Sequence, residues 1–172
     1  CFAGRMTDPR AWYVCVRDAK DLRLLEREAR AGANADRGRA IVRVNYDWAA
    51  ALMLKAFVVA ARQDWGNALA VLDTLTRCAP FGAEAYCEKG YILATQGETI
   101  RSLAAYEQAV ALSERHRTAR TVKAVALRGL GLALIELGRL GEAKHAYERS
   151  LKLDPSSEVA RNELEYIEEL KS

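Results

Sequence analysis

Apolar positions recur at helical spacing over most of this chain, and the pattern is sharpest near its end. From Ala124 onward, Leu127, Leu130, Gly131 and Leu134 fall on one face of a helix, and Gly138 interrupts the run. Beyond that break Ala143, Tyr147, Ser150 and Leu151 share a second face. Asp154-Pro155 ends it, because proline lacks an amide donor and disfavours helix in the residue before it. The stretch Ala124 to Ser157 therefore predicts two antiparallel helices joined by a tight turn.

The same pattern occurs twice more. Laid beneath the first, Ala83 to His116 aligns Gly90 with Gly131, Leu93 with Leu134, Gly97 with Gly138, Tyr106 with Tyr147 and Ala109 with Ser150. Ala49 to Gly82 puts Leu52, Ala56, Val59, Ala68, Leu72 and Pro80 in the equivalent slots, with Asp64-Trp65-Gly66-Asn67 as the expected turn. A period of about 34 residues with these Leu/Gly, Ala, Tyr and Pro landmarks resembles the tetratricopeptide repeat. The resemblance covers Ala49 to Ser157 and implies an all-α solenoid of three helix pairs, residues 49–82, 83–116 and 124–157. Three departures stand out: Ser102 in a slot usually held by alanine, Glu114 in place of the closing proline, and an insertion from Arg117 to Lys123. Seven residues are about two helical turns, so the insertion predicts a lengthened, protruding helix end. Gly90, Gly131 and Ala56 are expected where helices approach closely, with Tyr106 and Tyr147 filling the space opposite.

The flanks match the repeat poorly. Asp18 to Ala31 reads as an amphipathic helix with Leu22, Leu25 and Ala29 on one stripe, ending at Gly32. Trp12 to Val16 is rich enough in aromatic and β-branched residues to be extended, but has no evident strand to pair with, so it reads as loop or helix. Ala40 to Tyr46 is expected to be helical because it leads into the first repeat. Residues 1–48 thus read as an N-terminal helical cap or degenerate repeat. Residues 158–172 read as a C-terminal capping helix, with Val159, Leu164, Ile167 and Leu170 apolar.

Composition narrows the function more than it names it. With 26 basic and 23 acidic residues there is no general field for a polyanion. The longest weakly polar run, Trp48 to Ala61, falls short of the roughly 20 residues that cross a bilayer. Cys1, Cys15, Cys78 and Cys87 have neither metal-knuckle nor disulfide-framework spacing, although pairs Cys1–Cys15 and Cys78–Cys87 would suit an oxidising compartment. His116 and His145 lack ligand-spaced neighbours, and Gly129-Leu130-Gly131 sits inside a helical repeat rather than after a strand, which excludes a phosphate loop. No nucleophile has a base suggested beside it. The expectation is a chain without catalytic residues, metal or cofactor.

The resemblance implies a protein or peptide partner on a concave surface lined by the first helix of each pair. By position that lining is Met53 and Phe57, then Glu84, Cys87 and Tyr91, then Arg128, Leu132 and Ile135. Family members that clamp a chaperone's C-terminal carboxylate use a lysine and an asparagine at two of these slots. Here the slots hold Met53 and Phe57, Cys87 and Tyr91, or Arg128 and Leu132, so that clamp is absent. An apolar groove favours a partner helix or hydrophobic peptide. Whether a partner or the chain's own N-terminal segment fills it, Phe57 and Tyr91 should be buried. A basic stretch, Arg115, Arg117, Arg120 and Lys123 with His116 and Arg128, lies at the expected protrusion. It lacks interleaved aromatics and reads as solvated and complementing a helix dipole rather than as a nucleic-acid site. The leading expectation is an interaction module acting as adaptor or scaffold. The rival is a structural, self-assembling component of a bacterial envelope complex, lipid-anchored through Cys1 and periplasmic, rather than cytoplasmic.

Overall fold

The computed structural model describes residues 11–30, 39–116 and 118–170. Cys1, Gly32 and Arg117 lie outside them, as does any pairing of Cys1. Described residues group into two compact units, residues 1–81 and 82–172.

The first unit holds β1 (Ala11–Cys15), α1 (Ala19–Arg30), β2 (Ala40–Val44), α2 (Asp47–Ala61) and α3 (Trp65–Cys78). Asp18 starts α1: its carboxylate accepts from the Lys20 and Asp21 amides at 2.8 and 2.9 Å. These amide bonds hold its pKa below the ordinary value. Two expectations fail here. Trp12 to Cys15 belongs to a strand, and Ala40 to Val44, expected to be helical, is the strand that pairs with it in parallel, Ala11 opposite Ala40 through Cys15 opposite Val44. The partner lies 29 residues along the chain, and α1 supplies the crossover that a parallel pair requires. Three β-branched residues among the five of Ala-Ile-Val-Arg-Val favour the strand. β1 packs on α3, where the Trp12 indole donates to the Arg77 carbonyl at 3.0 Å.

In α2 and α3, Leu52, Ala56, Ala68 and Leu72 are buried, as their spacing predicts. The turn between these helices lies earlier than expected. Trp65, Gly66 and Asn67 already belong to α3, whose N-cap Asp64 accepts from the Asn67 amide. The residue that turns the chain is Gln63, at φ 58°. It stands 34 residues before Gly97, the corresponding turn residue of the next helix pair. Gly97 and Gly138 take the same left-handed conformation at φ 74° and 72° without the strain a side chain brings.

The second unit holds α4 (Ala83–Thr95), α5 (Thr99–Arg115), α6 (Arg120–Glu136), α7 (Leu140–Leu153) and α8 (Glu158–Glu169). α4 packs on α5 and α6, α5 on α6, and α6 on α7. The insertion lengthens the flanking helices as expected, to 17 residues each in α5 and α6. Two tyrosines set the spacing. A Cβ built on Gly90 would stand 2.7 Å from the Tyr106 ring, one on Gly129 2.1 Å from its other edge, and one on Gly131 2.5 Å from Tyr147. Tyr106 of α5 is thus wedged between α4 and α6. Serine hydroxyls tie the backbones nearby: Ser102 donates to the Gly90 carbonyl at 2.8 Å and Ser150 to that of Ala124 at 3.1 Å. This gives Ser102, which departs from the alanine of the repeat pattern, a bonding role.

α8 follows an N-cap in which Ser157 accepts from the Ala160 amide. Ala160 and Ile167 pack with Leu134, Ala143 and Tyr147, and Leu164 lies against them. Val159 and Leu170, read as apolar positions of the same helix, point away from this core at 59% and 49% exposure.

Candidate functional site

The expected lining residues fall in both units. In the first, α2 carries Met53, half-buried, and Phe57, exposed. The apolar character of α2 runs around the helix: Leu52 and Ala56 are buried, whereas Leu54 and Val58 are exposed with Phe57.

In the second unit the residues segregate by their place on α4 and α6. Glu84 and Tyr91 are exposed on α4, Tyr91 at 59%, and Leu132 is exposed on α6 at 41%. Three of the expected lining residues have other partners. Cys87 is buried with Tyr106, Ala109, Ala126 and Leu127. Burial first, and then the charges of Glu88 and Glu84, push its thiol up to about 12. Arg128 turns toward the following helix, where its guanidinium bonds the Asp154 carboxylate at 3.1 Å and the Ser150 hydroxyl at 3.3 Å. Asp154 is correspondingly held below its ordinary pKa, chiefly by the Ser156 hydroxyl and then by Arg128. Ile135 lies against the core that includes Leu134 and Tyr147. Phe57 and Tyr91, expected to be buried under an occupant, are exposed, because no described residue covers them.

Two residues absent from the expected lining belong on this face. Val125 is 44% exposed on α6, two turns before Leu132, and stands 41 residues after Glu84 in the corresponding slot. The other is Glu88, one turn after Glu84. It makes no hydrogen bond or ion pair with a described residue, and partial burial raises its carboxyl pKa. Tyr106 brings its phenol within electrostatic reach of Glu88 and Tyr91; burial, followed by these and the neighbouring Cys87, pushes its pKa well up. The repeat offset could have revealed Val125. Glu88 matches Gly129 at that offset and gave no apolar signal.

The basic stretch is largely spoken for. Lys123 lies 3.8 Å from the Glu114 carboxylate, and Arg149 bonds the same group. Glu114, in the slot of a closing proline, therefore neutralises its surroundings. Arg120 donates to the Lys152 carbonyl in the last turn of α7 at 3.1 Å. Arg115 is exposed at the end of α5. Elsewhere in the unit a hollow of about 310 Å³ is lined by residues that include Glu107, Arg139, Glu142, His145 and Arg149. Arg139 and Glu142 bind each other there through two bonds of 2.7 Å. Among the described residues no group of three His, Cys, Asp or Glu side chains could hold a metal ion, and no helix is long and apolar enough to cross a membrane.

Comparison with known proteins places this geometry. Residues 83–156 match the family model of the tetratricopeptide repeat. No curated protein matches the chain. Among solved structures it resembles the first such domain of Spaghetti (RPAP3), bound to the HSP90 peptide SRMEEVD: 24% identity, 75% of this chain and 98% of that one, TM-score 0.67. It also resembles the N-terminal domain of stress-induced protein-1 from C. elegans, at 20% identity over 73% of this chain and 96% of that one, TM-score 0.64. The second domain of human RPAP3, in complex with the HSP70 peptide SGPTIEEVD, is 19% identical over 70% of this chain and 94% of that one, TM-score 0.61. At these identities the likeness establishes the fold, an all-α helical-repeat solenoid.

Proposed function

Residues 83–156 match the tetratricopeptide-repeat family, and from that premise we propose that the chain works by binding a protein segment on the exposed face of α4 and α6. The observation that carries the reading is the arrangement of Tyr91, Val125 and Leu132. Three large apolar side chains stay 41–59% exposed on two adjacent helices whose other faces are packed. A helix or extended peptide laid there would bury them, which is the source of affinity in such grooves. Its role is that of an adaptor or scaffold without chemistry of its own. On this reading residues 49–82, 83–116 and 124–157 act as repeats, and α8 as the solvating end of the array.

The two RPAP3 domains carry acidic chaperone-derived peptides. The clamp that such carboxylates require in this family, a lysine and an asparagine, is replaced here by Met53 and Phe57, by Cys87 and Tyr91, or by Arg128 and Leu132. Cys87 is buried and Arg128 is occupied by Asp154, so neither is available to a carboxylate. A different peptide chemistry is expected.

The test is affinity capture from the native host with wild-type protein and a Tyr91→Glu, Leu132→Glu variant as baits. Both positions are exposed, so the variant should keep its helicity by circular dichroism. A partner retained by the wild type and lost from the variant supports the reading. Equal capture by both would move the binding site elsewhere on the chain.

A further inference from the structure

The charge on this face points to the class of side chain it receives. Glu84 and Glu88 lie one turn apart on α4, and neither is hydrogen-bonded to or ion-paired with a described residue. The cations nearby have other engagements: Arg128 is bonded to Asp154, and Lys89 sits over the Tyr86 ring, 5.7 Å from its centroid. Although the chain as a whole carries a formal charge of +3, the apolar strip of Tyr91, Val125 and Leu132 is therefore bordered on its α4 side by two carboxylates, Glu84 and Glu88, that no described residue pairs.

Glu88 makes the stronger case of the two. A carboxylate that gives up part of its hydration without gaining a donor is costly, and a native fold ordinarily satisfies such a group. A cation arriving from a ligand would supply what the fold does not. The surroundings suit one: the Tyr91 ring is one turn away on the same helix, and the Tyr106 phenol lies close by, so an ammonium or guanidinium bonded to Glu88 would also meet aromatic surface.

Building on the groove reading above, we propose that the face of α4 and α6 selects a peptide segment bearing a lysine or arginine flanked by apolar residues. The cation is held by Glu88 with Glu84 beside it, and the apolar residues lie against Tyr91, Val125 and Leu132. Acidic segments are rejected by the same two carboxylates.

The experiment is selection of a phage-displayed library of random 12-residue peptides on three baits: wild type, Glu84→Gln/Glu88→Gln, and Tyr91→Glu/Leu132→Glu. Glutamine preserves the shape of glutamate, and circular dichroism checks each bait. The expected result is apolar sequences in which Lys and Arg are enriched at least about threefold over the unselected library and Asp and Glu depleted. A chosen peptide should bind about tenfold more weakly to the glutamine variant, the size of one charge-assisted hydrogen bond. Apolar enrichment without basic bias, or the same bias on the glutamine variant, overturns the charge proposal and leaves the groove reading standing. Enrichment of acidic peptides overturns it as well. Peptides recovered equally from the wild type and the Tyr91→Glu/Leu132→Glu bait, or no enrichment on any bait, would remove the groove reading together with the proposal.

Discussion

Replacing Gly129 by alanine should destabilise the second unit, even though alanine is the better helix former by about 1 kcal/mol. The added methyl would stand 2.1 Å from Tyr106 Cε1 and 2.2 Å from Cζ, far inside ordinary carbon contact. The ring has little room to retreat toward α4, because on that side it already lies so close against Gly90 that a Cβ there would stand 2.7 Å from Cε2. Either α4 and α6 separate or Tyr106 leaves its slot. Losing the packing of a buried aromatic costs roughly 3–5 kcal/mol, so after the propensity gain the net loss is about 2–4 kcal/mol. With a urea slope near 2 kcal/mol/M, the midpoint should fall by about 1–2 M. Gly141 provides the contrast. It is also helical, but a Cβ there meets nothing within 4 Å, so Gly141→Ala should be neutral or slightly stabilising. In a Tyr106→Ala background the clash is gone, and Gly129→Ala should cost nothing or stabilise, a coupling of at least about 2 kcal/mol. Equal costs for Gly129→Ala in both backgrounds, or Gly129→Ala as harmless as Gly141→Ala, would refute the wedge.

Gln63→Gly should stabilise the first unit by about 0.5–1 kcal/mol, because glycine adopts the left-handed turn without strain; a lower urea midpoint would contradict this. Ser150→Ala removes the donor to the Ala124 carbonyl and a partner of Arg128, and should cost about 1–2 kcal/mol by chemical denaturation, whereas exposed Ser156→Ala should cost less than half that. Burial pushes the Cys15 thiol up to about 11 and Cys87 up to about 12 from 9.0, so above pH 9 the unfolded chain releases protons that the fold retains. Stability should therefore fall as pH rises from 9 toward 11, and a thiol reagent at pH 8 should modify these cysteines slowly in buffer and rapidly in urea; fast modification of the folded protein would refute their burial.

Much of the helical architecture is legible in the residue pattern because a helix pair is a local object. Spacing of apolar residues, turn glycines and a terminating proline all act within about 34 residues, so Gly90 opposite Tyr106 and Gly131 opposite Tyr147 can be read before any coordinates. The strand pair is not local. Residues 11–15 look unpaired until residues 40–44 are laid beside them, and neither segment alone has enough pattern to decide its state. Gln63 shows the same limit at a turn: the Gly66 nearby suggests the wrong position, because the helix starts at the Asp64 cap rather than at the glycine.

For the candidate site the division falls between position and availability. Repeat spacing places Glu84, Tyr91 and Leu132 on exposed sides of their helices, and it places Cys87, Arg128 and Ile135 beside them with equal weight. Tertiary packing separates these groups: Cys87 joins the core, Arg128 is claimed by Asp154, and Glu88 keeps an unpaired carboxylate near Tyr106. Sequence alone determined the helices and their apolar stripes, since those depend on periodicity along one chain. Which polar groups are already satisfied was decided only by the fold, because a hydrogen-bond partner 26 residues away, as Asp154 is from Arg128, leaves no mark in the local pattern.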